Sequence, residues 1–324
     1  MSRAYFLGID TSNYTTSIAL VDEQAQLVAD IRQLLPVKSG QRGLRQSEAL
    51  FWHVKHLPLL IEQAAAVVPN LSEKLRAAAV TTKPRPASDS YMPVFLAGTG
   101  IVDTLASVLQ IPKFTLSHQE SHIWAGLFSA KGPAADHFLA LHLSGGTSEI
   151  LVVTVKPDYR LEIQLLGGTA DLHAGQLVDR VGVAMGLQFP AGRDLEQLAL
   201  ASTKDLIIPS YHHEGQISFS GAEAAALRML NKEKKEDVAR AVLLNIARAT
   251  TKLIQWAGTR TRITQVLLVG GVCSNLILRA ELLERLTDFE LFFAEPKFSV
   301  DNAVGAAVFS ALSFAGDSFS RHVF

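Results

Sequence analysis

The chain has 324 residues, of which 48% are hydrophobic and 19% charged, with 22 glycines and 12 prolines. At about 100–200 residues per domain this length predicts two domains, and the composition excludes disordered, collagen-like and coiled-coil proteins. Thirty basic and 31 acidic residues give a net charge of −1, so contact with nucleic acid would need a local patch or a helper protein. The single cysteine, Cys273, excludes an intramolecular disulfide framework and a multi-cysteine metal site.

The chain shows no sign of a signal peptide or a membrane span. Its N-terminal apolar run is too short for a signal sequence and meets a charge at Asp10. The longest uncharged apolar stretch, Ala303 to Ala315, is shorter than the roughly 18–20 residues that a span needs. We therefore expect this stretch to form a buried helix, and we expect a soluble, cytoplasmic protein without membrane contact.

Two pairs of short strand-like runs each flank a turn rich in hydroxyl and glycine residues, and each pair predicts a β-hairpin. The first hairpin joins Tyr5–Asp10 to Ser17–Val21 through Thr11–Thr16. The second joins Phe138–Leu143 to Glu149–Val155 through Ser144–Ser148.

Further runs predict helices and single strands. The helices are Gln46–Val67, Phe95–Leu109 and Val238–Trp256, and the strands are Ala77–Val80 and Gln265–Val269. Strand pairs mixed with helices occur once in each half, which predicts a duplicated α/β architecture. We expect an N-terminal lobe at 1–133 and a C-terminal lobe at 134–324, with a last helix at 302–316 packing back on the first lobe.

The two hairpin turns share features of phosphate-binding loops. Backbone N–H groups in such turns suit phosphate oxygens, and Gly145 and Gly146 let a ligand approach the backbone without Cβ interference. Hydroxyl donors are added by Thr11, Ser12, Ser144 and Thr147.

A third glycine element follows a buried strand. Val266 to Asn275 runs from the strand into Gly270-Gly271 and then into a helix, so a flat ligand part such as adenine or ribose could lie on bare backbone there. Hairpin, hairpin, then strand-Gly-Gly-helix resembles the order in the actin, hexokinase and Hsp70 superfamily. This resemblance implies a two-lobe fold with a nucleotide in the interlobe cleft, but it leaves the chemistry open.

A histidine pair points to a metal. His118 and His122 are four residues apart, a spacing that puts both imidazoles on one helix face, although capping or core histidines would fit the same spacing. Zinc proteases have a His-Glu-x-x-His helix whose glutamate is the general base. Here Gln119 stands in the place of that glutamate, so the segment does not match a zinc-protease helix. Asp301, before the final helix, could add a hard third ligand, and two histidines with one carboxylate suit Fe(II), Zn or Mn.

Taken together, these motifs resemble the TsaD/Gcp glycoprotease-like family, whose members make threonylcarbamoyladenosine in tRNA from threonylcarbamoyl-adenylate. The resemblance extends from Leu7 to about Ala307. It implies the metal ligands His118, His122 and Asp301. The other matching segments share the family's order and are Leu7-Gly-Ile-Asp-Thr-Ser12, His142-Leu-Ser-Gly-Gly146, Asp171 with Gly175 and Asp179, Phe189-Pro-Ala-Gly192, Ser218-Phe-Ser-Gly221 and Gly270-Gly-Val-Cys-Ser-Asn275.

Three segments depart from the family pattern and indicate a divergent paralogue. Asn13-Tyr14-Thr15-Thr16 replaces Cys-Asp-Glu-Thr and removes an acidic pair. Thr82-Lys-Pro-Arg-Pro-Ala87 stands in place of the family's glycine-rich Pro-Gly segment and introduces the positive charges of Lys83 and Arg85. Glu223 stands where the family has lysine.

The resemblance implies an enzyme that binds one divalent metal and ATP or an acyl-adenylate and transfers a carbamoyl-type group. Its acceptor is tRNA adenosine, as in the family, or another molecule; a protein partner or a homodimer is also considered. The catalytic candidates are Asp10, Thr11, Ser12 and Arg85. The nucleotide-binding candidates are Ser144, Gly145, Gly146, Asp171, Gly175, Asp179, Gly192, Gly270, Gly271 and Asn275.

Three other functions stay open at this point. One is a non-catalytic partner of an active homologue, against which the intact metal residues count. The others are an ATPase or kinase of the same fold and, least favoured, a metallopeptidase, because the chain has no His-Glu-x-x-His helix and no nucleophile triad can be named. Cys273 is expected to be a small packing residue rather than a nucleophile.

Overall fold

The computed structural model describes residues 3–12, 14–36 and 44–316. Contacts divide the chain into two compact units. The first consists of Met1–Ala134, Val155–Leu161 and Lys297–Phe324, and the second of Ala135–Thr154 and Glu162–Pro296. The division into lobes at residues 133 and 134 stays a prediction.

The described chain contains groups of strands separated by helices. The strands are β1 (Tyr5–Asp10), β2 (Thr15–Asp22), β3 (Leu27–Leu34), β4 (Leu75–Lys83), β5 (Lys113–Ser117), β6 (His137–Leu143), β7 (Ser148–Val155), β8 (Leu161–Thr169), β9 (Tyr211–His213), β10 (Gln216–Ser218), β11 (Gln265–Val269) and β12 (Glu290–Phe293). The helices are α1 (Gln46–Val67), α2 (Leu71–Lys74), α3 (Phe95–Leu109), α4 (His118–Ala130), α5 (Ala174–Ala184), α6 (Gly192–Leu200), α7 (Ser220–Met229), α8 (Lys235–Thr261), α9 (Leu276–Arg285) and α10 (Val304–Ala315).

The first unit is built on a five-stranded sheet in the order β3-β2-β1-β4-β5. β1 pairs antiparallel with β2 and parallel with β4, and β4 pairs parallel with β5. α1 packs against α3 on this sheet, while α10 packs against α4 and against β1, β2 and β4. Helices cover both faces, so all residues of β1 and β2 are buried.

The second unit repeats this plan in a larger sheet with the order β12-β11-β6-β7-β8-β10-β9. Its segment β8-β7-β6-β11-β12 corresponds to β3-β2-β1-β4-β5 of the first unit. In both units the first hairpin is antiparallel, and its first strand pairs in parallel with a later strand. The predicted duplicated α/β architecture is therefore confirmed.

The observed bounds agree closely with several predicted elements. α1 and α3 have the predicted ends, and α8 extends beyond Val238–Trp256 in both directions. The first hairpin turn is shorter than predicted, because β2 begins at Thr15, which pairs with Leu34 of the unpredicted strand β3. No helix among the described residues is long and apolar enough to cross a membrane.

Candidate functional site

The histidine pair lies in the first unit, on the first turn and a half of α4. Ser117 caps this helix: its Oγ accepts from the Glu120 N–H at 3.2 Å, and its own N–H donates to Glu120 Oε2 at 2.7 Å. This capping box starts the helix at His118. One turn later His122 lies on the same face, with its Nε2 3.0 Å from that of His118.

Asp301 reaches the histidines from the turn before α10. Asn302 holds this turn, since its Nδ2 donates to the carbonyls of Phe298 and Val300 at 3.1 and 2.8 Å and its Oδ1 accepts from the Val304 N–H at 2.9 Å. Asp301 Oδ1 lies 3.5 Å from His118 Nε2 and 3.4 Å from His122 Nε2.

Two glycines allow α10 to approach closely enough for these contacts. A Cβ at Gly305 would lie 1.8 Å from the Ser121 carbonyl oxygen on α4. A Cβ at Gly8 on β1 would lie 2.3 Å from the Ala307 nitrogen and 2.4 Å from the Ala303 oxygen. Any side chain at either position would therefore push α10, and with it Asp301, away from the histidines.

The three donor atoms have the spacing of ligands on one metal ion. A point about 1.9 Å from all three atoms lies at the centre of the triangle with sides of 3.0, 3.4 and 3.5 Å, compared with about 2.0–2.2 Å for zinc–nitrogen and zinc–oxygen bonds. Among the described residues, these three form the group of histidine, cysteine or acidic side chains placed to hold a metal. The residues present therefore fit the divalent ion that the sequence predicts.

Asp10 lies behind His118. Its fully buried carboxylate accepts hydrogen bonds from Thr81 Oγ1 and from Ser12 Oγ, the latter at 2.7 Å, and lies 3.3 Å from His118 Nδ1. Burial opposes protonation of His118, but the carboxylates of Asp10 and Asp301 outweigh it and raise the pKa of His118 to about 10. Asp10 thus contacts the imidazole nitrogen that faces away from the donor triangle.

Of the other catalytic candidates, Ser12 contacts the Asp10 carboxylate, whereas Thr11 and Arg85 have different surroundings. Thr11 points to the opposite face of the sheet and donates to the Val94 carbonyl at 2.9 Å. Arg85 is exposed in a loop whose Pro84 carbonyl accepts from the Gln119 N–H at 3.0 Å, which attaches the loop to the first turn of α4. Asn13 lies outside the described residues.

In the second unit, the glycine loops meet at one edge of the sheet. β6 and β11 are parallel neighbours, with Val269 opposite His142, so the loops that follow them emerge side by side. A Cβ at Gly270 would lie 2.2 Å from the Leu143 oxygen, and one at Gly175 would lie 2.7 Å from Gly145. Gly175 and Gly270 therefore permit backbone to pack on backbone within the protein.

Gly145, Gly146 and Gly271 behave differently, since a Cβ at any of them would meet nothing within 4 Å. All three are exposed, so their backbone is open to a ligand. Within the turn, Ser144 Oγ accepts from the N–H groups of Gly146 and Thr147 at 3.3 and 3.0 Å. These two N–H groups are thus already used by Ser144, and the part of the loop that is open to a ligand is the glycine backbone, which carries no side chain.

The remaining nucleotide-binding candidates brace neighbouring elements. Asn275 Oδ1 caps α9 by accepting from the Leu278 N–H at 3.0 Å. Asp179 Oδ1 accepts from the Ala191 N–H at 2.8 Å, next to Gly192 at the start of α6.

Asp171 ties the end of β8 to the start of α7. Its carboxylate accepts from the hydroxyls of Ser218 and Ser220 and from the Phe219 N–H at 3.0 Å. Burial opposes ionisation of Asp171, but these hydrogen bonds outweigh it and hold the pKa of this carboxyl well below its usual range. Burial also raises the pKa of the Cys273 thiol to about 12, in keeping with a packing residue.

Comparison with known proteins places this geometry in a family. Residues 39–308 match the model of TsaD, tRNA N6-adenosine threonylcarbamoyltransferase. Two proteins of that name are each 30% identical to the chain. The alignment with the Sulfurihydrogenibium sp. protein covers 93% of this chain and 88% of the relative, and the alignment with the Nitrosomonas eutropha protein covers 94% and 91%. The chain belongs to the TsaD family.

Solved structures confirm the fold of this TsaD-family chain. Component A of (R)-2-hydroxyglutaryl-CoA dehydratase from Acidaminococcus fermentans has a TM-score of 0.58 at 17% identity, covering 96% of this chain and 99% of that one. Full-length HypF in its phosphate- and nucleotide-bound form has a TM-score of 0.61 at 14% identity, with coverages of 98% and 47%. A glucokinase of the ROK family from Streptomyces griseus has a TM-score of 0.54 at 12% identity, with coverages of 95% and 99%. The actin- and hexokinase-like fold class is therefore confirmed.

Several residues around the metal ligands were not identified from the sequence. Thr81 and Gly8 meet the site only because β1 pairs with β4 and packs on α10, which no local pattern reveals. Asn302 could have been suspected from its place beside Asp301, since a short amide side chain before a helix often holds a turn.

Glu223 of the second unit, which stands where the TsaD family has lysine, forms an ion pair with Arg180 at 3.3 Å.

Proposed function

We propose that this protein is a metal-dependent transferase that moves a carbamoyl-type group from an acyl-adenylate to an acceptor. The observation that carries the proposal is the convergence of His118, His122 and Asp301 in a chain of the TsaD family. These residues would hold one divalent ion, Fe, Zn or Mn, which when bound supplies a Lewis acid for a carbonyl or phosphoryl oxygen.

Asp10 would orient the metal-binding histidine. With its carboxylate 3.3 Å from His118 Nδ1, it favours a proton on that nitrogen and leaves Nε2 as the ligand atom. Thr81 and Ser12 hold the carboxylate by donating their hydroxyl hydrogens to it. Asp10 is thus assigned a positioning role, and Ser12 supports it.

The glycine surface of the second unit would take the adenine nucleotide or acyl-adenylate. The open backbone at Gly145, Gly146 and Gly271 suits a flat ligand part such as adenine or ribose. Asp179 and Gly192 would contact its hydroxyl groups, and Asp171 and Asn275 would keep the adjoining helices in place.

The acceptor would differ from tRNA adenosine and would carry a carboxylate or phosphate. Tyr14 and Thr15 stand where the family has an acidic pair, so this turn offers no carboxylate to accept a proton from an attacking amine. General-base help is worth about 10²–10⁴ in rate. Lys83 and Arg85 instead bring positive charge to the loop attached to Gln119, beside His118. We place this activity in the cytoplasm, with a protein partner or a second copy of the chain as an option.

A non-catalytic partner of an active homologue is the second candidate, but the donor triangle counts against it. Such a partner has no use for three metal-binding groups within 3.5 Å of one another.

The test supplies threonylcarbamoyl-adenylate and unmodified tRNA, with the family's partner proteins, and measures adenylate binding and threonylcarbamoyladenosine by mass spectrometry. We expect the adenylate to bind and the tRNA to stay unmodified or to react slowly. Arg85→Ala should weaken binding, while Arg76→Ala, an exposed arginine on β4, should not. Efficient tRNA modification would refute the changed acceptor and leave the transferase proposal standing. Absence of adenylate binding would refute the transferase proposal itself.

A further inference from the structure

Arg32 on β3 lies in the same row of the first sheet as Asp10. Asp10 is opposite Ser17 on β2, and Ser17 is opposite Arg32 on β3. Residues directly opposite each other on antiparallel strands have side chains on the same face. Arg32 therefore extends toward the face on which Asp10 contacts His118.

The guanidinium of Arg32 is held by a neighbour on its own strand. Its Nε donates to Asp30 Oδ1 at 2.8 Å and its Nη2 to Asp30 Oδ2 at 2.5 Å. This two-point pairing fixes the plane of the guanidinium and uses two of its nitrogens. The third nitrogen, Nη1, donates to the backbone carbonyl of Asp301 at 3.4 Å.

The pair is partly shielded from water, with about a fifth of each side chain exposed: 20% for Arg32 and 19% for Asp30. The Asp30 carboxylate also offsets the charge of the guanidinium, which would otherwise repel a metal cation bound nearby. Arg32 thus supplies a fixed hydrogen-bond donor to the Asp301 turn without adding net charge to its surroundings.

The Asp301 turn is supported from two sides. Asn302 holds it from within through the carbonyls of Phe298 and Val300. Arg32 holds it from β3, which is 269 residues away in sequence. A carbonyl fixed in this way limits the movement of the Asp301 carboxylate on the same residue.

We propose that Arg32, oriented by Asp30, is a positioning residue that holds the Asp301 turn and so preorganises the metal centre. This inference rests on the proposed metal function of His118, His122 and Asp301. Outer partners of metal ligands commonly change metal affinity by about 10–100-fold when they are removed. Because the Arg32 contact is to the backbone and is long, we expect an effect at the lower end of that range.

The test measures binding of Zn²⁺ and Co²⁺ to the purified full chain by competition with a chromophoric chelator, together with the visible absorption of bound Co²⁺. Arg32→Ala should weaken both metals about tenfold and alter the Co²⁺ spectrum. Arg32→Lys, which keeps a cationic donor, should recover part of the affinity. Arg160→Ala is the matched control, since Arg160 pairs with Asp158 two residues earlier in the chain, in the same way as Arg32 pairs with Asp30.

Wild-type affinity and an unchanged Co²⁺ spectrum in Arg32→Ala would overturn the inference. If Arg32→Ala does not fold, Asp30→Asn supplies a second comparison: it loosens the guanidinium and leaves its charge without the offsetting carboxylate, so metal binding should weaken, and unchanged affinity there would overturn the inference. A wild-type protein that binds neither metal would refute the metal centre itself, which is a different failure.

Discussion

Replacing Gly305 by alanine should damage the metal centre from a distance. Gly305 lies in the first turn of α10, where its missing side chain faces the Ser121 carbonyl on α4. In most helices a glycine-to-alanine change is favourable by about 0.5–1 kcal/mol. Here we expect the opposite sign, because the new methyl group has no room.

The size of the effect follows from the contact distances. The added Cβ would lie 1.8 Å from the Ser121 oxygen and 2.7 Å from its carbonyl carbon, whereas real Cβ contacts stay above 3.0 Å. α10 and α4 must therefore separate by more than 1 Å. Overpacking of this kind costs about 1–3 kcal/mol. A shift of that size also exceeds the roughly 0.2 Å tolerance of metal–ligand distances, so metal affinity should fall by at least about tenfold.

The assay combines thermal unfolding with Co²⁺ titration of Gly305→Ala and of a matched control, Gly100→Ala. Gly100 lies in α3 of the same unit, and a Cβ there would meet nothing within 4 Å. The control should keep its metal affinity and gain a little stability. Equal metal affinity in the two variants, with Gly305→Ala as stable as Gly100→Ala, would refute the close packing of α10 on α4 as the origin of the donor triangle.

Three further predictions concern the second unit. An adenine nucleotide at about 100 times its Kd should stabilise the wild type by roughly 2.7 kcal/mol; Gly146→Val should abolish this gain in a thermal-shift assay without lowering the Tm of the free protein, because the position is open. Asn275→Ala should cost about 1 kcal/mol in denaturant unfolding by removing the cap of α9, and an unchanged midpoint would contradict that role. Asp171→Asn should lower stability at pH 7. Because the pKa of Asp171 is lowered by folding, its contribution to the free energy of unfolding is present above the unfolded-state pKa of about 4 and is lost as the pH falls from there toward the folded-state pKa. The stability difference between Asp171→Asn and wild type should therefore shrink on acidification, and a difference that grows would contradict this reasoning.

The sequence predicted the elements whose residues follow a clear local pattern. α1 and α3 carry apolar residues at helical spacing, and both hairpins have turns of glycine and hydroxyl residues between apolar runs. β3 was missed because it is an edge strand, half-buried, with Asp30 and Arg32 inside it. Such a strand lacks the apolar alternation of a strand with one buried face.

Within the site, the histidine pair was predictable because its spacing is a property of one helix. The contacts of Asp10 were not, since they depend on how β1, β4 and α4 assemble. The sequence grouped Asp10 with Thr11 and Ser12 as catalytic candidates, yet alternation along the strand sends Asp10 toward His118 and Thr11 toward Val94. The glycines likewise look alike in sequence, but Gly146 faces open space while Gly175 and Gly270 face backbone.

The most direct test of the account is the metal content of the purified protein, measured by elemental mass spectrometry beside the double variant His118→Ala/His122→Ala. The donor triangle predicts close to one transition-metal ion per chain in the wild type and the loss of this ion in the variant. Circular dichroism should show that the variant keeps its fold. A folded double variant that keeps the wild-type metal content would contradict the assignment of His118, His122 and Asp301 as the metal centre.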